Sequence, residues 1–160
     1  MIPGKIVRFL ERANVAFAGT RDRELVPHGH RVAGWSVSAD ARTLTALIPE
    51  SSRDHLIESL TENGQFSMTM EEYPSHEAYQ FKGRYVQHRP VRPEDVEASD
   101  RIRERFLKSL RPFFPPGADH PIRAFIPQPG IAVEIEVLEI FVQTPGPGAG
   151  ARLIPAEQPS

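Results

Sequence analysis

The chain has 160 residues, is 39% hydrophobic and 25% charged, and carries a net charge of −2 at neutral pH, the balance of one soluble domain around a single core. That charge gives no general attraction for nucleic acid or an anionic membrane, so neither partner is expected and any cationic site is local. No cysteine is present, which excludes disulfides, thiolate catalysis, iron–sulfur clusters and Cys-ligated zinc.

The apolar run in Met1 to Leu10 is too short for a signal peptide, and no stretch of about 18 apolar residues occurs. A cytoplasmic protein is expected. The basic residues are 16 arginines against three lysines, Lys5, Lys82 and Lys108, and the planar fork of arginine suits phosphate and carboxylate better than a point charge does.

In chain order, Lys5 to Arg12 mixes Ile6, Val7, Phe9 and Leu10 with charges and predicts a short amphipathic helix. Val15 to Thr20 reads as a strand, and Arg21 to Glu24 as a turn. Leu25 to Ser38 reads as a second strand, bent or bulged because Pro27, Gly29 and Gly34 interrupt it. A turn at Asp40 to Arg42 leads to a third strand, Thr43 to Ile48, which completes an antiparallel meander.

Ser51 to Asp54 predicts a helix start with Ser51 as the N-cap and an acid three residues on, and Asn63-Gly64 predicts its end. Phe66, Met68 and Met70 alternate with polar residues in a fourth strand, a polar loop follows from Glu71 to His76, and Ala78 to Gln87 forms the fifth. Arg92 to Asp95 opens the longest helix, with an early proline and acids in the first turn, and Pro112 ends it. Phe113 to Gly130, rich in proline and glycine, predicts a loop on the surface or at a subunit contact.

The last strand begins at Ile131. Its alternation slips after Val137, as a bulge requires. Thr144 to Gly150 cannot continue a strand, and Leu153-Ile154 packs back before the end. The expected architecture is mainly β with α: a six-stranded antiparallel barrel over residues 1–150 with flanking helices, and a flexible tail at 151–160. No dinucleotide fingerprint and no P-loop is present.

The stretch Glu77 to Val86 carries the most chemistry, with aromatic residues on one face and Gln80, Lys82 and Arg84 on the other. Gly83 in its middle admits a close approach of backbone or ligand, or marks a bulge.

The order of elements, the Ser51-Ser52-Arg53 start after Ala46-Leu47-Ile48-Pro49, and Tyr79-Gln80-Phe81-Lys82-Gly83-Arg84 together resemble the pyridoxamine 5'-phosphate oxidase-like family of FMN-binding split barrels. The likeness spans roughly residues 5 to 150. It implies a homodimer with FMN in a groove between subunits, and flavin-mediated hydride transfer with a small-molecule substrate or nicotinamide donor.

Carried over residue by residue, the resemblance puts Arg31 near the phosphate, Trp35 and Ser36 near the ring, and Ile48 and Pro49 beside the flavin. Ser52 and Arg53 match its hydroxyl-plus-basic pair, and Gln80 or Lys82 comes from the facing wall. Two departures argue against pyridoxamine phosphate itself as substrate: Trp35-Ser36 replaces the second-strand lysine, and the C-terminal Trp and Arg signature is missing. The alternative is a non-catalytic dimer that binds another ligand, haem or a deazaflavin, or no cofactor.

Each site residue also has a plainer reading. Arg53 reads equally as a solvated helix residue, and Trp35 as a core or dimer anchor. Lys82 and Arg84 read as partners of Glu134 or Glu136 across the last strand, worth about 0.2–1 kcal/mol each. His28 and His30 have the spacing of a chelate but no specified third ligand, so they read as surface histidines and no metal is assigned. No nucleophile elbow or His-Glu-x-x-His motif is present, and no catalytic residue is assigned.

Overall fold

Val32 and Ala33 join two strands that lie at opposite edges of one sheet. The computed structural model describes residues 1–115, 117 and 123–154. Among them β1 (Val15–Arg21), β2 (Pro27–Arg31), β3 (Gly34–Val37), β4 (Thr43–Ile48), β5 (Gln65–Glu72), β6 (Glu77–Pro90) and β7 (Ile131–Val142) run in the order β2-β1-β5-β6-β7-β4-β3. Every neighbouring pair is antiparallel. Because two residues link β2 to β3, the sheet curls until its edges nearly meet, which makes an open half-barrel.

The sheet path therefore has seven strands rather than the expected six. The second strand region, Leu25 to Ser38, breaks where buried Val32 and Ala33 leave β1 and the Ala33 N–H donates to the Leu47 carbonyl, 2.7 Å away. An eighth strand, β8 (Arg152–Ile154), pairs with β7. Part of the segment expected as a flexible tail is thus hydrogen-bonded to the sheet, while residues 155–160 lie outside the described residues.

The inner face follows the alternation in the sequence. Ala16, Ala18, Met68, Met70, Phe81 and Val133 meet in one core, closed at its ends by Phe9 of α1 (Gly4–Arg12) and Leu60 of α2 (Arg53–Asn63). The α2 helix ends as expected, with Gly64 at φ 67° and its N–H on the Leu60 carbonyl.

The start of α2 differs from the sequence reading. Glu50–Ser52 forms a 3-10 turn, Ser52 rather than Ser51 occupies the cap position, and no side-chain cap bond forms. The turn is held elsewhere. Gly130 donates to the Ile48 carbonyl at 2.8 Å, and a Cβ on Gly130 would stand 2.4 Å from the Glu50 nitrogen.

The α3 helix (Pro93–Leu110) lies over β3 and is clamped at its start and midway along. At its start the Asp95 carboxylate accepts two bonds from Arg89 at 2.6 and 3.2 Å and one from the Arg92 N–H at 2.8 Å. Burial works against the charge of Asp95, but these bonds outweigh it and hold the carboxyl below its ordinary pKa. Further along, Ser99 donates to the Ala33 carbonyl, and Arg103 holds the carbonyls of Ile126 and Pro127. Of the loop expected over Phe113 to Gly130, residues 116 and 118–122 lie outside the described residues.

The two long strands carry the irregularities. Lys82 faces Glu139 and Gly83 faces Val137, so Leu138 is the extra residue, where the slip in alternation predicts a bulge. A second shift leaves Val86 unpaired and 54% exposed. A Cβ on Gly83 would lie 2.1 Å from the Glu136 carbonyl oxygen and 2.7 Å from Ile135, so backbone approach and bulge both apply at this glycine.

Gly83→Ala is expected to lower stability by about 2–3 kcal/mol, because the obstacle is backbone and cannot rotate away. Gly29→Ala, with nothing within 4 Å of its Cβ, should stay within about 0.5 kcal/mol. Urea unfolding at unchanged slope measures both. A tolerated alanine at position 83 would contradict this packing.

Candidate functional site

The outer face of the sheet presents a cleft of about 660 Å³ across β2, β1, β5, β6 and β7. Its floor is a single cross-strand row: Gly29 opposite Gly19, Gly19 opposite Ser67, Ser67 opposite Lys82, and Lys82 opposite Glu139. The small residues keep the floor low while longer side chains from the neighbouring row, Arg21, Gln65 and Arg84, raise its rim. A concave site of this size suits a cofactor-sized ligand.

The charge balance of the cleft is uneven. Glu139 is paired with Arg152 at 2.7 Å, Glu134 accepts from Gln87 and Arg89, and Arg21 donates to Gln65. Arg84 stands opposite Glu136 in the strand register, yet no ion pair forms within 4 Å among the described residues. Lys82 lies over the Phe141 ring, 4.8 Å from its centre, and has no carboxylate partner among them either. The cross-strand ion pairs that the sequence allowed for these two cations are therefore not made with Glu134 or Glu136.

The nine residues that the resemblance singles out fall into three places. Arg31, Gln80 and Lys82 share the outer face. A second row there runs from Arg31 through Phe17 and Thr69 to Gln80, spanning three inter-strand steps or roughly 15 Å. Arg31 lies 4.8 Å over the Phe125 ring and donates to the Phe125 carbonyl at 2.9 Å, beside Phe17, which is 48% exposed.

Trp35 and Ser36 belong to β3, away from that cleft. The Trp35 ring is buried and its N–H donates to the Leu10 carbonyl at 3.1 Å, while Ser36 is exposed. Ile48, Pro49, Ser52 and Arg53 sit where β4 runs into α2. Ile48 and Pro49 are buried, Ser52 is half-buried, and Arg53 is exposed with a 3.0 Å ion pair to Glu50. An exposed pair of this kind contributes under about 1 kcal/mol and yields readily to a ligand.

The sequence sets Arg84 on the same face as Lys82 but does not single out Ser67 and the Gly19–Gly29 pair as lining residues. Only the strand register puts those three in one row with Lys82, and a pairing table of the meander would have been the signal.

His28 and His30 do not form a chelate. His30 is buried and hydrogen-bonded to the Thr20 hydroxyl at 3.0 Å, correcting its reading as a surface residue. Half-buried His28 approaches Asp22 at 3.3 Å and stacks on His55 of α2 at 6.2 Å. Among the described residues no group of three metal-ligating side chains converges, and no helix is long and apolar enough to cross a membrane.

No sequence-family model matches the chain and no curated protein matches it in sequence. Its likeness is one of fold: to HupZ from Group A Streptococcus (TM-score 0.56, 16% identity, 94% of this chain and 100% of that one); to an F420 reductase (0.54, 12%, 87% and 98%); and to a pyridoxamine 5'-phosphate oxidase-related, FMN-binding protein from Nostoc punctiforme (0.52, 13%, 88% and 83%). The fold is the split barrel that the sequence resemblance implies.

His30 provides a pH test of the site's flank. Burial, then the charges of His28 and His55, push its pKa below the ordinary 6.5. The folded state thus holds His30 neutral where the unfolded chain is protonated. Stability is complete above pH 6.5 and falls as pH drops from there toward the folded pKa, by at most about 1.4 kcal/mol per unit. Denaturant unfolding between pH 7.5 and 5 should show this decline, and His30→Gln should flatten it. An equal decline in the variant would assign the dependence to other groups.

Proposed function

We propose that the protein is a homodimeric FMN-binding oxidoreductase of the split-barrel type, with the cofactor seated on the outer face of the sheet. The observation that carries this reading is the pair Lys82 and Arg84, two cations on one cleft wall with no carboxylate partner among the described residues. Unneutralised cations beside a glycine-lined floor suit a phosphorylated planar ligand, since charge-assisted bonds to phosphate are about twice as strong as neutral ones. The Ser67 hydroxyl, bonded only at 3.4 Å to the Gly19 carbonyl, is free to turn toward the same phosphate.

The remaining residues complete the site from a second copy. Arg31, Ser52 and Arg53 lie on the molecule's surface at the β2 end and at the α2 start, and in the dimer they approach the partner's cleft. Trp35 and Ser36, on β3 away from the cleft, take no part in this reading, and Ile48 and Pro49, both buried, contribute backbone groups beside the flavin. Gln80, half-buried beside Lys82, offers an amide to a polar ring edge.

Bound FMN supplies the hydride chemistry, exchanged with a small substrate or a nicotinamide. The protein binds and orients the flavin, shields it between two subunits and sets the charge around it. A deazaflavin bearing phosphate would use the same cations. The fold likeness to an F420 reductase makes it the second reading, and a native mass spectrum of freshly purified dimer separates the two by bound mass.

Purified protein is expected to be yellow or to gain absorbance near ~450 nm on addition of FMN, with the dimer seen in the native spectrum. The doubly reversed variant Lys82→Glu/Arg84→Glu should lose FMN binding by at least tenfold, because a repulsion replaces two charge-assisted contacts. Arg53→Glu should weaken it from the partner side. Colourless protein that ignores FMN, or undiminished binding in the doubly reversed variant, would overturn the proposal.

A further inference from the structure

A second cavity, of about 440 Å³, shares no lining residue with the cleft just described and lies between α1, β3 and α3. Its walls differ in kind: Leu10, Trp35 and Ile102 are buried and apolar, whereas Arg101 and Arg105 reach it from α3, one helical turn apart and so on one face. Two guanidinium groups at this spacing repel each other unless an anion lies between them.

The anion is not supplied by the protein. Arg105 donates to the Ala13 carbonyl at 3.2 Å through one terminal nitrogen, while its Nε is buried with no hydrogen-bond acceptor among the described residues. A buried donor left unpaired costs about 1–3 kcal/mol. Arg101 touches Glu97 at 3.7 Å, but both side chains are largely in solvent, and such a pair contributes little. Glu11 lies at the cavity wall without an ion pair to either arginine within 4 Å. Ser36 adds a hydroxyl that bonds to no described side chain. Burial and then the Arg101 charge lower the Arg105 pKa, and the charge of Glu11 offsets them only in part.

We infer that this cavity binds a small organic anion, its carboxylate or phosphate held between Arg101 and Arg105 and its apolar body laid against Leu10, Trp35 and Ile102. The unpaired Arg105 Nε–H and the Ser36 hydroxyl are the donors that fix its orientation. This site is separate from the flavin cleft and stands whether or not that cleft binds FMN.

The test uses the protein's only tryptophan. Because Trp35 lines the cavity, its fluorescence reports occupancy directly. Titration with phenylacetate at constant ionic strength should give a saturable change, and inorganic phosphate, which leaves the apolar walls uncovered, should bind at least tenfold more weakly. Arg101→Gln, at an exposed helix position that folding tolerates, should weaken phenylacetate about tenfold, and Glu11→Gln should tighten it by removing a nearby negative charge. No saturable response, equal affinity for phosphate, or an unchanged affinity in Arg101→Gln would overturn the inference. FMN absorbance of the same samples is expected to be unaffected by phenylacetate, so failure here and failure of the flavin reading are seen separately.

Discussion

The β7 backbone passes so close to Gly83 that a methyl group at that position would overlap the Glu136 carbonyl. This close approach is the constraint on which the rest of the outer face depends. It occurs where Leu138 is squeezed out of the ladder, and the shift it produces decides which charges meet across β6 and β7. Lys82 falls opposite Glu139, already occupied by Arg152, and Arg84 falls opposite an exposed Glu136 that does not reach it. A regular ladder would have set Leu138 opposite Lys82 or Val137 opposite Arg84; the bulge sets an acid opposite each cation, yet neither acid pairs with the cation it faces, and both cations stay on one wall of a glycine-floored cleft.

The acids that might have quenched those cations are drawn elsewhere. Arg89 takes Glu134 as well as the buried Asp95, and by doing so fixes the start of α3 against the end of β6. That helix in turn holds β3 through Ser99 and the 126–127 segment through Arg103. Structural ion pairs and the unpaired cations of the cleft are therefore two parts of one distribution of charge. Positive charge left over at the surface of a protein with net charge −2 is local by construction, and it points to a small anion rather than to a polyanionic partner.

Much of this was legible from residue pattern. Alternation at Phe66 to Met70 gave the inward face of β5, Asn63-Gly64 gave the left-handed end of α2, and the slip after Val137 located the bulge at Leu138. Two features were not. The break at Val32-Ala33 cannot be seen in a run that contains Pro27, Gly29 and Gly34 in any case, because what divides it is a change of hydrogen-bonding partner from β1 to β4. The helix start after Ser51-Ser52 follows the packing of Gly130 on Glu50, a contact about 80 residues distant in sequence, and local capping chemistry yields to it. In the site, Lys82 and Arg84 were visible from their own strand, but Ser67 and the Gly19–Gly29 pair come from other strands and are assembled with them only by register. Trp35 and Ile48, singled out by resemblance, spend their side chains on the core.

If Lys82 and Arg84 bind the flavin phosphate, as proposed, the comparison that isolates their role is FMN against riboflavin, the same ring without the phosphate. Equilibrium dialysis of both ligands against wild type and Lys82→Gln/Arg84→Gln measures the contrast. FMN should bind wild type at least tenfold more tightly than riboflavin, and the preference should collapse in the variant while riboflavin affinity stays as it was. Equal binding of FMN and riboflavin by the wild type, or a preference that survives the loss of both cations, would contradict the assignment of this wall to the phosphate.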